Sequence, residues 1–167
     1  FSNSELTANT SADKGGAIVA NNYSDLTFDS SLIADNNALY GAAFRLRTGT
    51  ILNLLNSVVS GNTAQVSGSV VYAVTSCSLN VSHSTITANG NDNDDSNIFL
   101  AGAYFVQVDN SILWNEDEVE IDDDNSGVLE IEYSCILGGM VGVGNIDTNP
   151  NFCILDSGDF TLRENYL

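Results

Sequence analysis

One short pattern, Ser-x-aliphatic, recurs six times at a nearly constant spacing, and this constrains the chain more than any other feature. The copies are Ser4-Glu5-Leu6, Ser31-Leu32-Ile33, Ser57-Val58-Val59, Ser84-Thr85-Ile86, Ser111-Ile112-Leu113 and Ser134-Cys135-Ile136. Their serines lie 27, 26, 27, 27 and 23 residues apart. Three residues past the aliphatic position stand Asn9, Asn36, Asn62 and Asn89. The fifth unit departs, with Asn115 one place early and Glu116 in the Asn slot.

A second ladder precedes the serines: Leu26, Leu52, Leu79, Val106 and Leu129, each followed two residues on by Phe28, Leu54, Val81, Val108 and Ile131. This alternation has the period of a strand with one buried face. A third apolar segment follows the Asn slot, as in Gly15-Gly16-Ala17-Ile18-Val19, Gly41-Ala42-Ala43-Phe44 and Gly68-Ser69-Val70-Val71. Asn97-Ile98-Phe99-Leu100 and Val119-Glu120-Ile121 stand in for it later. Each unit thus predicts three short strands joined by turns rich in Asn, Gly, Asp and Ser.

Such strands cannot bury a face alone. Stacked about 4.8 Å apart, equivalent residues of successive units form columns. Leu6, Ile33, Val59, Ile86, Leu113 and Ile136 then make one inward apolar stripe, each side chain contributing on the order of 1.5–3 kcal/mol. The asparagines make a hydrogen-bonded ladder at a bend. A closed coil of parallel sheets satisfies all of this. The expected fold is all-β, a right-handed single-stranded parallel β-helix of about six rungs of ~27 residues. Rungs are expected over residues 1–144, with 145–167 a C-terminal capping segment of the same domain.

Composition agrees and excludes several roles. Hydrophobic residues make up 43% of the 167, enough for a core. Asn, Ser and Asp oppose helix, while Val, Ile and Thr favour strand. The formal charge is −18, from 4 Lys and Arg against 22 Asp and Glu, which repels nucleic acid and anionic membranes. No apolar run approaches the roughly 20 residues of a spanning helix.

The aliphatic-x-x-Asn units followed by Gly-Gly-Ala-Ile resemble the repeats of bacterial polymorphic outer-membrane-type proteins. The end of the chain extends the likeness: Asn110-Ser111-Ile112-Leu113-Trp114-Asn115, Tyr133-Ser134-Cys135-Ile136-Leu137-Gly138-Gly139, Gly144-Asn145-Ile146-Asp147, Pro150 with Phe152, and Gly158-Asp159-Phe160-Thr161-Leu162. The resemblance covers essentially the whole chain. It implies a right-handed β-helix from a large secreted or surface-anchored protein, placed outside the cell or on its surface. It is specific for fold and says little of function. Gly-Gly-Ala-Ile occurs once, and Glu164-Asn165-Tyr166-Leu167 replaces the Ser-Pro-Cys such ends often carry.

Many parallel β-helices cleave polysaccharides. Hydrolases of this kind need clustered Asp with basic partners, and lyases need a basic residue to abstract a proton. The basic side chains are Lys14, Arg45, Arg47 and Arg163, with His83. Arg45 and Arg47 alternate along one strand, either to hold a carboxylate or as solvated residues. His83 occupies a slot held elsewhere by Asn3, Asn56 and Asn110, which favours a polar bend over catalysis. The sequence displays no Ser/His/Asp set, Cys/His cluster or phosphate loop, and no catalytic residue is assigned.

The acids are unevenly placed. Residues 36–91 contain none, whereas 11 fall between Asp92 and Asp124. Asp92, Asp94 and Asp95 lie one rung from Glu116, Asp117 and Glu118, either as a solvated acidic face or as a Ca²⁺ site with oxygen ligands. No cofactor is required. Cys77, Cys135 and Cys153 permit one disulfide, with Cys135 and Cys153 the nearer pair, or three thiols. Asn22 and Asn80 fall in N-glycosylation sequons, as does the ladder residue Asn9.

The functional expectation is a non-catalytic extracellular or cell-surface scaffold, in adhesion or as a filament-forming subunit. The rival is a carbohydrate-active enzyme or glycan-binding module, with Trp114 and Tyr104 as stacking surfaces. Phe1-Ser2-Asn3-Ser4 already follows the strand pattern, so the first rung is expected to be covered by further N-terminal sequence, by a partner, or by another copy joined end to end through the segment around Phe152 and Phe160 into a filament.

Overall fold

The corners explain the fold. Asn3, Ser30, Asn56, His83, Asn110 and Tyr133 all have φ between 47° and 53°, the left-handed region that turns the chain sharply. Asn is among the few non-glycine residues that adopt it readily. One residue before each ladder asparagine the turn repeats at Ala8, Asp35, Gly61 and Ala88. Between these fixed bends only three to five residues remain for most strands.

The computed structural model describes residues 1–91, 96–102, 104–115, 119–124, 126–154 and 159–162. The chain is a parallel β-solenoid with a period of about 27 residues. One wall has six strands: β1 (Glu5–Thr7), β4 (Leu32–Ala34), β8 (Val58–Ser60), β12 (Thr85–Thr87), β16 (Ile112–Trp114) and β19 (Cys135–Ile136). A second has five: β2 (Ile18–Ala20), β6 (Phe44–Arg47), β10 (Val71–Val74), β14 (Ser96–Ala101) and β17 (Val119–Asp123). The third has β3 (Asp25–Asp29), β7 (Ile51–Leu55), β11 (Ser78–Ser82), β15 (Phe105–Asp109) and β18 (Val128–Glu132).

Leu6, Ile33, Val59, Ile86, Leu113 and Ile136 are register partners in the first wall. All but Leu6 are fully buried. The third wall buries Phe28, Leu54, Val81 and Val108 completely, and the second buries Phe44, Leu46, Val71 and Ile98. Alternate residues of each strand enter one continuous core.

Three strands per unit were expected, and the structure adds a fourth, short sheet. It contains β5 (Asn37–Tyr40), β9 (Thr63–Ser67) and β13 (Gly90–Asn91). These residues follow the Asn ladder directly and stay extended because the asparagines hold the backbones of adjacent turns in register. Past Ile136 the coil loosens: Ile146 bridges Cys135, and β20 (Phe152–Ile154) pairs antiparallel with β21 (Asp159–Leu162).

The second left-handed column yields a prediction. Ala88 is exposed with φ 54°, where Gly61 stands one turn earlier. Its Cβ costs strain and contributes no buried contact. Ala88→Gly should raise stability by about 0.5–1 kcal/mol, read as a higher urea midpoint at unchanged slope.

Candidate functional site

The repeated polar residues come first, because their chemistry is already engaged. Each ladder asparagine accepts through Oδ1 from the backbone N–H of its equivalent one turn earlier, at 2.8–3.1 Å from Asn9 through Asn115. The same Oδ1 accepts from the preceding Nδ2 at 2.8–3.1 Å. The Nδ2 groups of Asn36, Asn62 and Asn89 also donate to the carbonyls of Leu6, Ile33 and Val59. The fifth unit corrects the sequence reading. Asn115, not Glu116, continues the ladder, because an amide placed one residue early still reaches Asn89. Glu120 then ends it: its buried carboxylate accepts from the N–H and Nδ2 of Asn115 at 2.6 and 2.7 Å.

The serines form a parallel ladder. Each Oγ accepts the N–H of the preceding serine at 3.0–3.2 Å, from Ser4 to Ser134. Asn145 closes it by accepting from the N–H of Ser134 at 3.1 Å.

The structure does assemble a Ser/His/Asp set that the sequence reading missed. Ser82 Oγ donates to Asp109 Oδ2 at 2.9 Å and lies 2.9 Å from His83 Nδ1. His83 Nδ1 is 4.0 Å from Asp109 Oδ2, and Asn110 Nδ2 donates to that oxygen at 2.8 Å. The available signal was the period, since Asp109 stands 27 residues after Ser82. The order is wrong for a nucleophile relay, in which the carboxylate orients the histidine and the histidine takes the serine proton. Here the carboxylate holds the serine hydroxyl itself. The backbone N–H of His83 is bonded to the Asp109 carbonyl, so it is no oxyanion donor. The set fastens one corner to the next.

Beside it runs a groove of about 440 Å³ along β15 and β18, lined by Gln107, Asp109, Glu130, Glu132 and Gly142 among others. Its carboxylates give it acidic character. Among the described residues no three His, Cys, Asp or Glu side chains are arranged to hold a metal ion. The Ca²⁺ ligands suggested by the sequence, Asp92, Asp94, Asp95, Glu116, Asp117 and Glu118, lie outside the described residues.

Trp114 and Tyr104 do not serve as glycan platforms, since both are buried. Trp114 packs with Cys135 and Phe152, and Tyr104 belongs to the main core. Burial and a hydrogen bond to Asp123 push the Tyr104 hydroxyl up to about 12. Cys135 carries a free thiol that donates to the Thr148 carbonyl, and burial raises its pKa; Cys77 is likewise free and raised by burial. The side chains of Cys153 and Phe160 lie outside the described residues. Asn22 is exposed at a corner, and Asn80 is half-buried on the outer face of β11.

Arg45 and Arg47 lie on another wall, in β6. Arg45 is only 6% exposed, not solvated, with its guanidinium 4.5 Å from the Tyr72 ring centroid. Its Nη1 donates to the Leu46 and Tyr72 carbonyls at 3.0 Å, and its buried Nε has no partner. Burial lowers its pKa. Arg47 is exposed on the same strand, and Tyr72 stacks on Phe99 at 4.6 Å. Comparison with protein-family models, curated proteins and solved structures returns no match. Among the described residues no helix is long and apolar enough to cross a membrane.

Proposed function

We propose that this chain is a non-catalytic scaffold segment of a secreted or cell-surface protein, of the bacterial polymorphic outer-membrane repeat type, serving adhesion or fibre assembly. One observation carries the reading: the repeating polar side chains are buried and bonded turn to turn, so they serve the coil rather than a ligand. The aromatic side chains point the same way. Tyr72 lies between Arg45 and Phe99, which leaves neither ring face for a sugar to stack on.

The acidic groove favours a second reading, a glycan-processing or glycan-binding surface. Asp109 and Glu132 are register partners on adjacent strands, and two carboxylates flanking a bond are what glycoside hydrolysis needs. The two readings separate in one experiment. The purified chain is immobilised on beads, tested for adhesion to bacterial and animal cells, imaged for fibres, and incubated with neutral and acidic polysaccharides. The scaffold reading expects adhesion or fibres and no release of reducing ends. Release abolished by Glu132→Gln would overturn it in favour of the enzyme.

A further inference from the structure

The second wall carries a charge pattern that complements itself. Its outward columns run by register from Arg45 through Tyr72 and Phe99 to Asp122, and from Arg47 through Val74 and Ala101 towards Asp124. Two arginines therefore stand three strands, about 14 Å, from two aspartates, with an apolar strip between them. Asp124 is held ionised, its pKa lowered by hydrogen bonds from Ser126 and the Gly102 N–H. Neither arginine forms a salt bridge among the described residues, although the chain has 22 acidic residues. Arg45 is taken up by its two carbonyl bonds and the Tyr72 ring, so the exposed Arg47 presents the positive charge at this end of the wall.

We propose that this wall binds a second copy of itself, face to face and antiparallel about a two-fold axis. The axis passes between the Tyr72 and Phe99 rows. Arg47 of each copy then faces Asp124 of the other and Tyr72 lies opposite Phe99, while Arg45 stays packed within the wall. This is the isologous contact that closes on itself. The inference deepens the scaffold reading by naming a lateral contact between scaffold segments. The four facing strands, β6, β10, β14 and β17, of about four residues each offer about 250 Å² per copy, below the roughly 800 Å² of a standard interface. The contact is accordingly weak, formed at roughly 0.1–1 mM protein, and salt-sensitive.

The test is sedimentation equilibrium with small-angle scattering on the full chain at low and high salt. The wild type should dimerise at low salt, with a dissociation constant at least ~10-fold weaker at high salt. Arg47→Glu and Asp124→Arg should each be monomeric, because each places like charges across both halves of the contact. Mixed together they should pair, since both contacts then regain opposite charges. Circular dichroism checks that each variant is folded, and Arg47→Glu with Asp124→Arg in one chain, which should dimerise, covers a local defect at either site. A monomeric wild type, single variants that dimerise normally, or a mixture that stays monomeric would overturn the proposal. So would a wild type that remains monomeric while binding oligogalacturonate through Arg47. Fibres that grow without a dimer plateau would support end-to-end assembly and the scaffold reading while removing the lateral contact. Polysaccharide cleavage by a chain that still dimerises would do the reverse.

Discussion

Val59→Asp should abolish the fold. Val59 is fully buried between its register partners Ile33 and Ile86, midway along the six-stranded wall. The substitution removes about 1.5–3 kcal/mol of apolar burial and places a carboxylate where its neighbours are aliphatic. An unpaired buried charge costs several kcal/mol more, and the sum approaches the 5–15 kcal/mol that holds a typical domain together. A solenoid has no alternative core, because each turn contacts only its neighbours and a failed middle turn uncovers both halves. Loss of the strand signal in far-ultraviolet circular dichroism at 25 °C is the expected reading. Val58→Asp is the control, since Val58 is only partly buried on the opposite side of the same strand. It should cost under about 1 kcal/mol. The reverse ranking would mean that the strand is shifted by one residue, which exchanges every inward and outward side chain.

The columns that make this prediction sharp were legible in the sequence because they are periodic. Ser, aliphatic and Asn positions recur at 26 or 27 residues through the fifth unit, and a parallel coil turns an equal spacing into a spatial stack. Features that break the period, or lie across it, were not legible. Asn115 keeps the ladder spacing of 26 residues from Asn89 but stands two residues past its aliphatic position instead of three, so a motif fixed on that offset passes over it. Glu120 looked like a strand residue, and only the closed corner brings its carboxylate to Asn115. Ser82 and Asp109 are one period apart, but neither belongs to a repeating column of like residues, so the pair did not stand out. The burial of Arg45 depends on Tyr72 in the next turn, and a strand read alone suggests a solvated side chain.

The asparagine ladder supplies the other large effect. Asn62 Oδ1 accepts from both the N–H and the Nδ2 of Asn36, at 3.1 and 2.8 Å. Its own Nδ2 donates to the carbonyls of Ile33 and Ser60 and to Asn89 Oδ1. Asn62→Ala removes all five bonds at a site with no access to water. Two Asn36 donors lose their acceptor, and each unsatisfied buried group costs about 1–3 kcal/mol. The expected loss is about 3–5 kcal/mol, measured as a drop in the urea midpoint. Asn9→Ala gives the internal comparison. Asn9 has the same ladder position in the first turn, but it is exposed, so water replaces its lost partners. Its removal should cost under about 1 kcal/mol. Equal losses at the two positions would show that the amides act through local turn propensity. A large loss at Asn62 alone would show that the buried amide with its five bonds stabilises the coil, where the exposed Asn9 makes only two side-chain bonds, to Thr7 and Asn36.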